Sequence, residues 1–269
     1  MRERSAVAVG GLDPSGGAGV LADVAAFRVA GTWGAAICAC STVQNTRSLQ
    51  AVQATSATLV AKQLEALWVD LRVGAIKTGA MGSRANAEVV GGRVDRGKGA
   101  LLVVDPVMVP SSGEVSLCGR AAEDLRPLIE RAHLLTPNVP EAERLLASPI
   151  ESLADMRDAA VDLRRMGPRA VLLKGGHLDT TAAWSIDVLA TRHGVVSLRS
   201  RRLARLTVHG TGCVLASLIA GRLVHEKSRG SARDIEAAVR WALRRFRRYL
   251  RQPLRVGAGS AVLSLGVCR

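Results

Sequence analysis

The chain has 269 residues, 48% hydrophobic but only 3% aromatic, and carries a formal net charge of +14. That composition supports an aliphatic core of Val, Leu, Ile and Ala, large enough for a full sheet between helix layers. No apolar run reaches the ~18 residues of a membrane span, and Met1-Arg2-Glu3-Arg4 leads straight into a short apolar segment without the long core of a secretion signal. A cytoplasmic protein with no membrane partner is expected. In chain order, short apolar runs predict strands at Ala6–Gly10, Ala35–Cys40, Val73–Lys77, Leu101–Asp105, Leu134–Thr136 and Ala170–Lys174. Helical patterns lie between them at Gly19–Ala30, Ala57–Trp68, Arg84–Arg96, Gly119–Arg131 and Ser152–Met166. Runs with little alternation suit strands buried on both faces. The rhythm predicts an α/β fold, a three-layer α/β/α sandwich with a mostly parallel central sheet, in one domain over residues 1–269. Ser185–Thr191 and Val195–Ser200, joined by Arg192-His193-Gly194, read as an antiparallel hairpin on one edge. Two closing helices, Cys213–Glu226 and Ala232–Leu250, follow.

Cys38, Cys40, Cys118, Cys213 and Cys268 are scattered and form no CxxC pair, which argues against a disulfide framework or a structural zinc site. The basic charge raises nucleic acid as a partner. Few aromatics for stacking, dispersed arginines and no nucleic-acid module argue against it. The dense stretch Arg240 to Arg255 reads as a solvated helix face.

Open α/β sheets bind ligands beyond the carboxyl ends of their strands, and several strand ends here carry unusual chemistry. The loop His209-Gly210-Thr211-Gly212-Cys213 precedes an aliphatic helix. Glycines at a helix start let successive N–H groups converge on an anion. Cys213 would lie in the first turn, where positive potential lowers a thiol pKa and suits it to act as a base. Asp13-Pro14-Ser15-Gly16-Gly17-Ala18-Gly19 permits close approach to a ligand, with Asp13 or Asp23 available for its polar groups. It matches neither a P-loop nor a dinucleotide fingerprint. Asn138 can cap the helix that Pro140 opens, with Glu141 at the capping-box position. The same two residues, with Asp105, could equally face a metal–phosphate group.

Taken together, these segments resemble the ribokinase-like superfamily, and within it the hydroxymethylpyrimidine/phosphomethylpyrimidine kinases of thiamine biosynthesis. The resemblance runs through Gly11–Gly19 with Ala22-Asp23, Val43-Gln44-Asn45-Thr46, Ala75-Ile76-Lys77-Thr78-Gly79 and Val104-Asp105-Pro106-Val107-Met108. It continues through Leu135–Glu143, Leu173–Leu178 and His209–Cys213. It implies ATP and Mg²⁺ as cofactors, a small pyrimidine as substrate and a possible homodimer. Gly210, Thr211, Gly212 and Cys213 would form the transfer centre, with Cys213 as base. Gln44, Asp23, Ala18 and Val107 would form the pyrimidine pocket; Lys174, Asn138 and His209 would face the nucleotide; Asp105 and Glu141 would hold the metal. A group of pyridoxal kinases shares the cysteine of this loop, so pyridoxal is the alternative substrate. A non-catalytic homologue that senses the pyrimidine or binds a polyanion is the alternative of another kind. The chain departs from the family pattern at Leu12, at Ala80-Met81, at Ser111 and at Val256-Gly257-Ala258-Gly259-Ser260, where a Gly-His-Gly run is usual.

Overall fold

A computed structural model describes residues 3–94, 99–108, 122–178, 181–203, 208–225 and 230–266. Cys118, Ser111 and Cys268 lie outside these, as do Arg96 and Glu226 at the ends of two predicted helices and Gly119 at the start of a third.

A nine-stranded sheet carries the fold. Its parallel strands are β1 (Arg4–Leu12), β2 (Trp33–Gln44), β4 (Arg72–Thr78), β5 (Leu101–Val104), β6 (Leu134–Leu135) and β7 (Ala170–Leu173). Antiparallel strands close both edges: β3 (Leu49–Ala54) pairs with β2, and the hairpin of β8 (Trp184–Thr191) and β9 (Gly194–Arg201) pairs with β7. The order β3-β2-β1-β4-β5-β6-β7-β8-β9 reverses at β1, so the crevice beside β1 and β4 is the topological switch point.

Alternate residues of the central strands feed two different cores, as a sheet buried on both faces requires. Val7, Val9, Ile76, Leu102 and Leu135 pack with α2 (Ala57–Asp70), α3 (Arg84–Arg93), α4 (Arg126–Ile129), α5 (Val139–Leu146) and α6 (Leu153–Arg165). Ala6, Ala8, Ala75, Leu101 and Leu134 pack with α1 (Gly19–Val29), α7 (Thr211–His225) and α8 (Ala232–Leu250). Each such fully buried Val, Leu or Ile contributes about 1.5–3 kcal/mol. The three-layer sandwich predicted from the sequence is the observed fold.

Several elements differ from the prediction. β2 runs on to Gln44, and its overhang pairs with the unpredicted β3, whose weak Leu-Gln-Ala-Val-Gln-Ala alternation hid it. The helix predicted over Gly119–Arg131 is, in its described part, a 3₁₀ turn at Ala122–Leu125 followed by the single turn of α4. Pro127 lacks the N–H that a continuous helix needs there. Residues Val208–His209 (β10) and Ala261–Val262 (β11) form a small parallel pair that the sequence did not announce.

Candidate active site

Two glycine loops meet where the switch point opens. Asp13 accepts the N–H groups of Ser15 and Ala18 at 2.9 and 3.0 Å, which folds the chain back on itself before α1. Gly19 (φ 61°) and Gly210 (φ 75°) adopt the left-handed region, and a Cβ on either would collide with a carbonyl, Gly11 O or Gly17 O respectively. Only glycine lets these loops touch backbone to backbone. Ala18 caps α1 without a side-chain hydrogen bond, and α7 begins at Thr211. Both helices therefore bring open N-terminal N–H groups and positive dipole ends to one cavity.

A cation faces this loop. A Cβ on Gly212 would lie 3.2 Å from Lys174 Nζ and 3.7 Å from Asp105 Oδ2. Lys174 donates to Asp105 Oδ1 at 3.1 Å, and the Thr136 hydroxyl donates to the same oxygen at 3.3 Å. Burial pushes the Asp105 carboxyl up, but Lys174 and then Lys77 hold it below the usual range. Glu141 is the opposite case. Burial pushes it up to about 7, with the Asp105 charge adding to that and Lys174 opposing it. The capping box is real: Asn138 N–H donates to Glu141 Oε2 at 2.7 Å, and Glu141 N–H to Asn138 Oδ1 at 2.9 Å. It leaves Glu141 Oε1 and Asn138 Nδ2 outside it. Two neighbouring buried carboxylates, one of them reluctant to ionise, form a hard oxygen set that a divalent cation would relieve, so the donor chemistry fits Mg²⁺. Among the described residues no cluster of three or more His, Cys, Asp or Glu side chains could hold a metal alone. Mg²⁺ characteristically takes one or two carboxylates and completes its shell with phosphates and water.

The floor is a second ion pair. Lys77 donates to both oxygens of Asp23 at 2.9 and 3.0 Å, Ser217 donates to Asp23 Oδ1 at 2.7 Å, and neither charged side chain is more than 1% exposed. Asp23 borders the cavity, but its carboxylate is committed beneath it. Cys213 lies one turn of α7 before Ser217 and accepts the Gly19 N–H. The expected low thiol pKa is not found. Burial pushes Cys213 up to about 12, with Lys77 opposing and the Asp105 and Asp23 charges reinforcing the rise. The dipole of α7 is outweighed by desolvation, because the Cys213 thiol sits at the base of the cavity, crowded by the Gly19 backbone.

All the residues singled out from the sequence line one cavity of about 520 Å³: Ala18, Asp23, Gln44, Asp105, Val107, Asn138, Glu141, Lys174 and His209 to Cys213. The His209 ring, expected to face the nucleotide, instead contacts Asp13 (2.9 Å) and Gln44 (3.1 Å). Its strand ends beside β1 and β2 rather than beside Lys174. Ala80 lines the cavity, whereas Met81 is buried in the core, so its thioether does not cover the ligand space. At the far end lie Leu203, Leu243, Phe246 and Leu250, with Arg201, Arg202 and Arg247. Arg247 thus leaves the solvated face assigned to it and donates to Arg201 O at 3.0 Å. The solvent-side arginines Arg244, Arg245, Arg248 and Arg251 are exposed as expected.

Sequence reasoning gave no role to Lys77, Ser217, Asp187 or Phe246. Lys77 carried a signal, a charged residue inside an apolar strand, which requires a buried partner. Asp187, also buried, accepts the Gly175 N–H at 2.9 Å and shapes the turn after β7. Its outward-looking place in a hairpin strand gave no such warning.

Comparison with known proteins gives the family and the fold. A family model described as phosphomethylpyrimidine kinase matches residues 13–264. The chain is 38% identical over 88% of its length to a bifunctional thiamine biosynthesis protein of Geobacter sulfurreducens, of which it spans 49%. It is 36% identical to the hydroxymethylpyrimidine/phosphomethylpyrimidine kinase of Escherichia coli, with 82% of this chain and 83% of that one covered. The pyridoxal kinase of Staphylococcus aureus, solved with an ATP analogue and pyridoxal, superposes with a TM-score of 0.84 at 25% identity, covering 99% of this chain and 94% of that one.

Proposed function

The chain belongs to the phosphomethylpyrimidine kinase family, and on that premise we propose that it acts as one domain to transfer the γ-phosphate of ATP to the hydroxymethyl group of 4-amino-5-hydroxymethyl-2-methylpyrimidine, and then phosphorylates the monophosphate. The observation that carries this reading is the meeting of the Gly210–Cys213 loop with Lys174 and Asp105 in a cavity whose other end presents Gln44. N–H groups at the start of α7 would stabilise charge on the transferring phosphoryl group, and Lys174 would hold the phosphates against them. Asn138, Glu141 and Asp105 would position Mg²⁺, which when bound neutralises phosphate charge. Gln44 offers one amide donor and one acceptor to the aminopyrimidine edge. The apolar end at Leu243, Phe246 and Leu250 suits a nucleotide base. Since phosphoryl transfer depends chiefly on positioning and charge stabilisation, a thiol near pKa 12 at Cys213 supports the reaction by contact with the incoming hydroxyl more than by free thiolate. The chain spans about half of the bifunctional relative, so the proposal covers the two phosphorylations alone and nothing else of that protein. A cytoplasmic setting and a homodimer belong to the same proposal; among the described residues no helix is long and apolar enough to cross a membrane.

Pyridoxal is the second reading, favoured by the close superposition on the pyridoxal kinase. ADP release measured with the pyrimidine, its monophosphate and pyridoxal in parallel tests both. Turnover of the pyrimidine and its monophosphate is expected; turnover of pyridoxal alone overturns the first reading.

A further inference from the structure

His209 touches one side chain from each of two other strand ends, and the two contacts make incompatible demands. Its ring Nε2 lies 2.9 Å from Asp13 Oδ2 and 3.1 Å from Gln44 Nε2. Opposite a carboxylate the ring nitrogen must be an N–H donor. A donor opposite an amide NH₂ sets two donors against each other. Asp13 decides between them. It is 2% exposed and already accepts two backbone N–H groups, so its carboxylate is held ionised in a poorly solvated place. An unprotonated Nε2 there would bring acceptor against acceptor at a cost that burial magnifies. Nε2 therefore carries the proton, and Gln44 must turn its carbonyl Oε1, not its NH₂, towards His209.

The other end of the amide agrees. Thr42 Oγ1 lies 2.8 Å from Leu12 O and 3.2 Å from the far terminus of the Gln44 amide. Its single hydroxyl hydrogen serves the shorter contact with Leu12 O, so its lone pairs face Gln44. An amide NH₂ satisfies them. With the amide turned this way no donor faces a donor and no acceptor an acceptor. Thr42 donates to Leu12, Gln44 donates to Thr42, and the single His209 Nε2–H is shared between Asp13, the shorter contact, and Gln44 Oε1. One amide N–H and one carbonyl lone pair on Gln44 are left for the cavity it lines.

The ring is held in place to do this. His209 pairs through its backbone with Val262 in β11. Gly17 presses on its edge, for a Cβ at Gly17 would lie 2.9 Å from His209 Cδ2 and 2.6 Å from Val262 Cγ1. We infer that His209, anchored by Asp13, is a positioning residue that fixes the Gln44 amide in one of its two orientations and thereby selects a heteroaromatic substrate carrying an amine beside a ring nitrogen. This rests on the pyrimidine reading of the site and assigns His209 to substrate choice. Without the His209 donor, the amide can turn over and present its donor and acceptor in reverse.

The test compares the aminopyrimidine with its analogue lacking the exocyclic amine, using kcat/KM with saturating ATP and calorimetric binding without nucleotide. His209→Leu is expected to compress the wild-type preference for the amine about tenfold or more, since selection by a buried hydrogen-bond pair is lost. The change should fall on KM for the pyrimidine, with KM for ATP within about twofold. His209→Gln, which returns an N–H donor near the ring Nε2 position, should restore most of the preference. Where His209→Leu does not fold, His209→Asn, too short to reach Gln44, carries the same readout. A preference unmoved in a folded variant overturns the inference, as does a loss confined to kcat. A wild type that phosphorylates the pyrimidine with such a result refutes only the role of His209. One that accepts pyridoxal alone refutes the substrate reading along with it.

Discussion

Two lysine–aspartate pairs stand within the same crevice and are built to opposite ends. Lys77 and Asp23 form a closed unit: both carboxylate oxygens are engaged, Ser217 adds a third bond, and the lysine side chain is 0% exposed. Lys174 and Asp105 form an open one: a single 3.1 Å contact, with the lysine side chain 14% exposed beside the Gly212 backbone. The closed pair spends two of the three Lys77 N–H groups and both Asp23 oxygens internally, and it joins α1, β4 and α7 at the floor of the cavity. The open pair leaves ammonium protons free of Asp105 and so can trade partners when an anion arrives. Charge type does not separate scaffold from working group here; bidentate pairing and complete burial of the lysine do.

The comparison breaks if the closed pair proves dispensable. Asp23→Ala strands a buried ammonium and is expected to cost roughly 3–5 kcal/mol of stability, read by urea unfolding. The double variant Asp23→Leu with Lys77→Met should recover much of that, because no unpaired charge is left. Lys174→Met should behave differently, with a smaller stability loss of about 1–3 kcal/mol, because Lys77 and Thr136 still face the buried Asp105 carboxylate, but with kcat lowered about 10²–10³-fold, the scale of a lost transition-state donor. Equal loss of stability in both single variants would erase the distinction.

Glu141 sharpens the open side through pH. Its folded pKa stands near 7 against an ordinary 4.5, so between those values the unfolded chain has released a proton that the folded chain keeps. Stability therefore falls as pH rises through that window, by on the order of 3 kcal/mol if the full shift is expressed. Glu141→Gln keeps the capping-box geometry and removes the titration. Urea titrations from pH 4 to 8 without metal or nucleotide should show the wild type losing stability relative to the variant. A parallel pair of curves refutes the assignment.

Much of this was legible in the chain. The strands of the parallel sheet read directly from runs such as Leu101–Val104, and every strand-end motif reached the cavity, because parallel topology forces those ends together. What the sequence hid follows from packing. Leu49–Ala54 has too little alternation to declare an edge strand and becomes one only by pairing with the β2 overhang. Cys213 looked activated because helix position is visible in a sequence and desolvation is not. Asp23 looked available because its partners, Lys77 and Ser217, lie 54 and 194 residues away. Arg247 looked solvated because the pocket end above α8 forms only in the folded molecule.

Cys213 carries the next smaller effect. Cys213→Ala should leave stability nearly intact and slow transfer about a hundredfold, the scale of a lost contact that positions the incoming hydroxyl. With the thiol near pKa 12, iodoacetamide at pH 8 should label it more than a hundredfold more slowly than a free cysteine, whose pKa is about 8.5. Labelling at the free-cysteine rate, followed by mass spectrometry, would place Cys213 on the open side with Lys174.

The smallest effect concerns the strap that ties the substrate end together. Thr46, two residues beyond Gln44, accepts the Ser260 N–H on its carbonyl at 2.8 Å and the Gly259 N–H on its hydroxyl at 3.2 Å. A Cβ on Gly257 would lie 2.5 Å from the Thr46 hydroxyl, and one on Gly259 would strike the Thr46 carbonyl. The segment that lacks the usual Gly-His-Gly thus keeps glycine where the chain must lie against Thr46, and β11, which holds His209, follows directly. Thr46→Val preserves volume and the carbonyl bond but removes one acceptor, a loss of about 1 kcal/mol. KM for the pyrimidine should rise a few-fold, while KM for ATP, set around Lys174, stays within error. If KM for ATP moves equally, the two ends of the cavity are joined through β10 and β11, and the closed and open pairs are parts of one rigid unit.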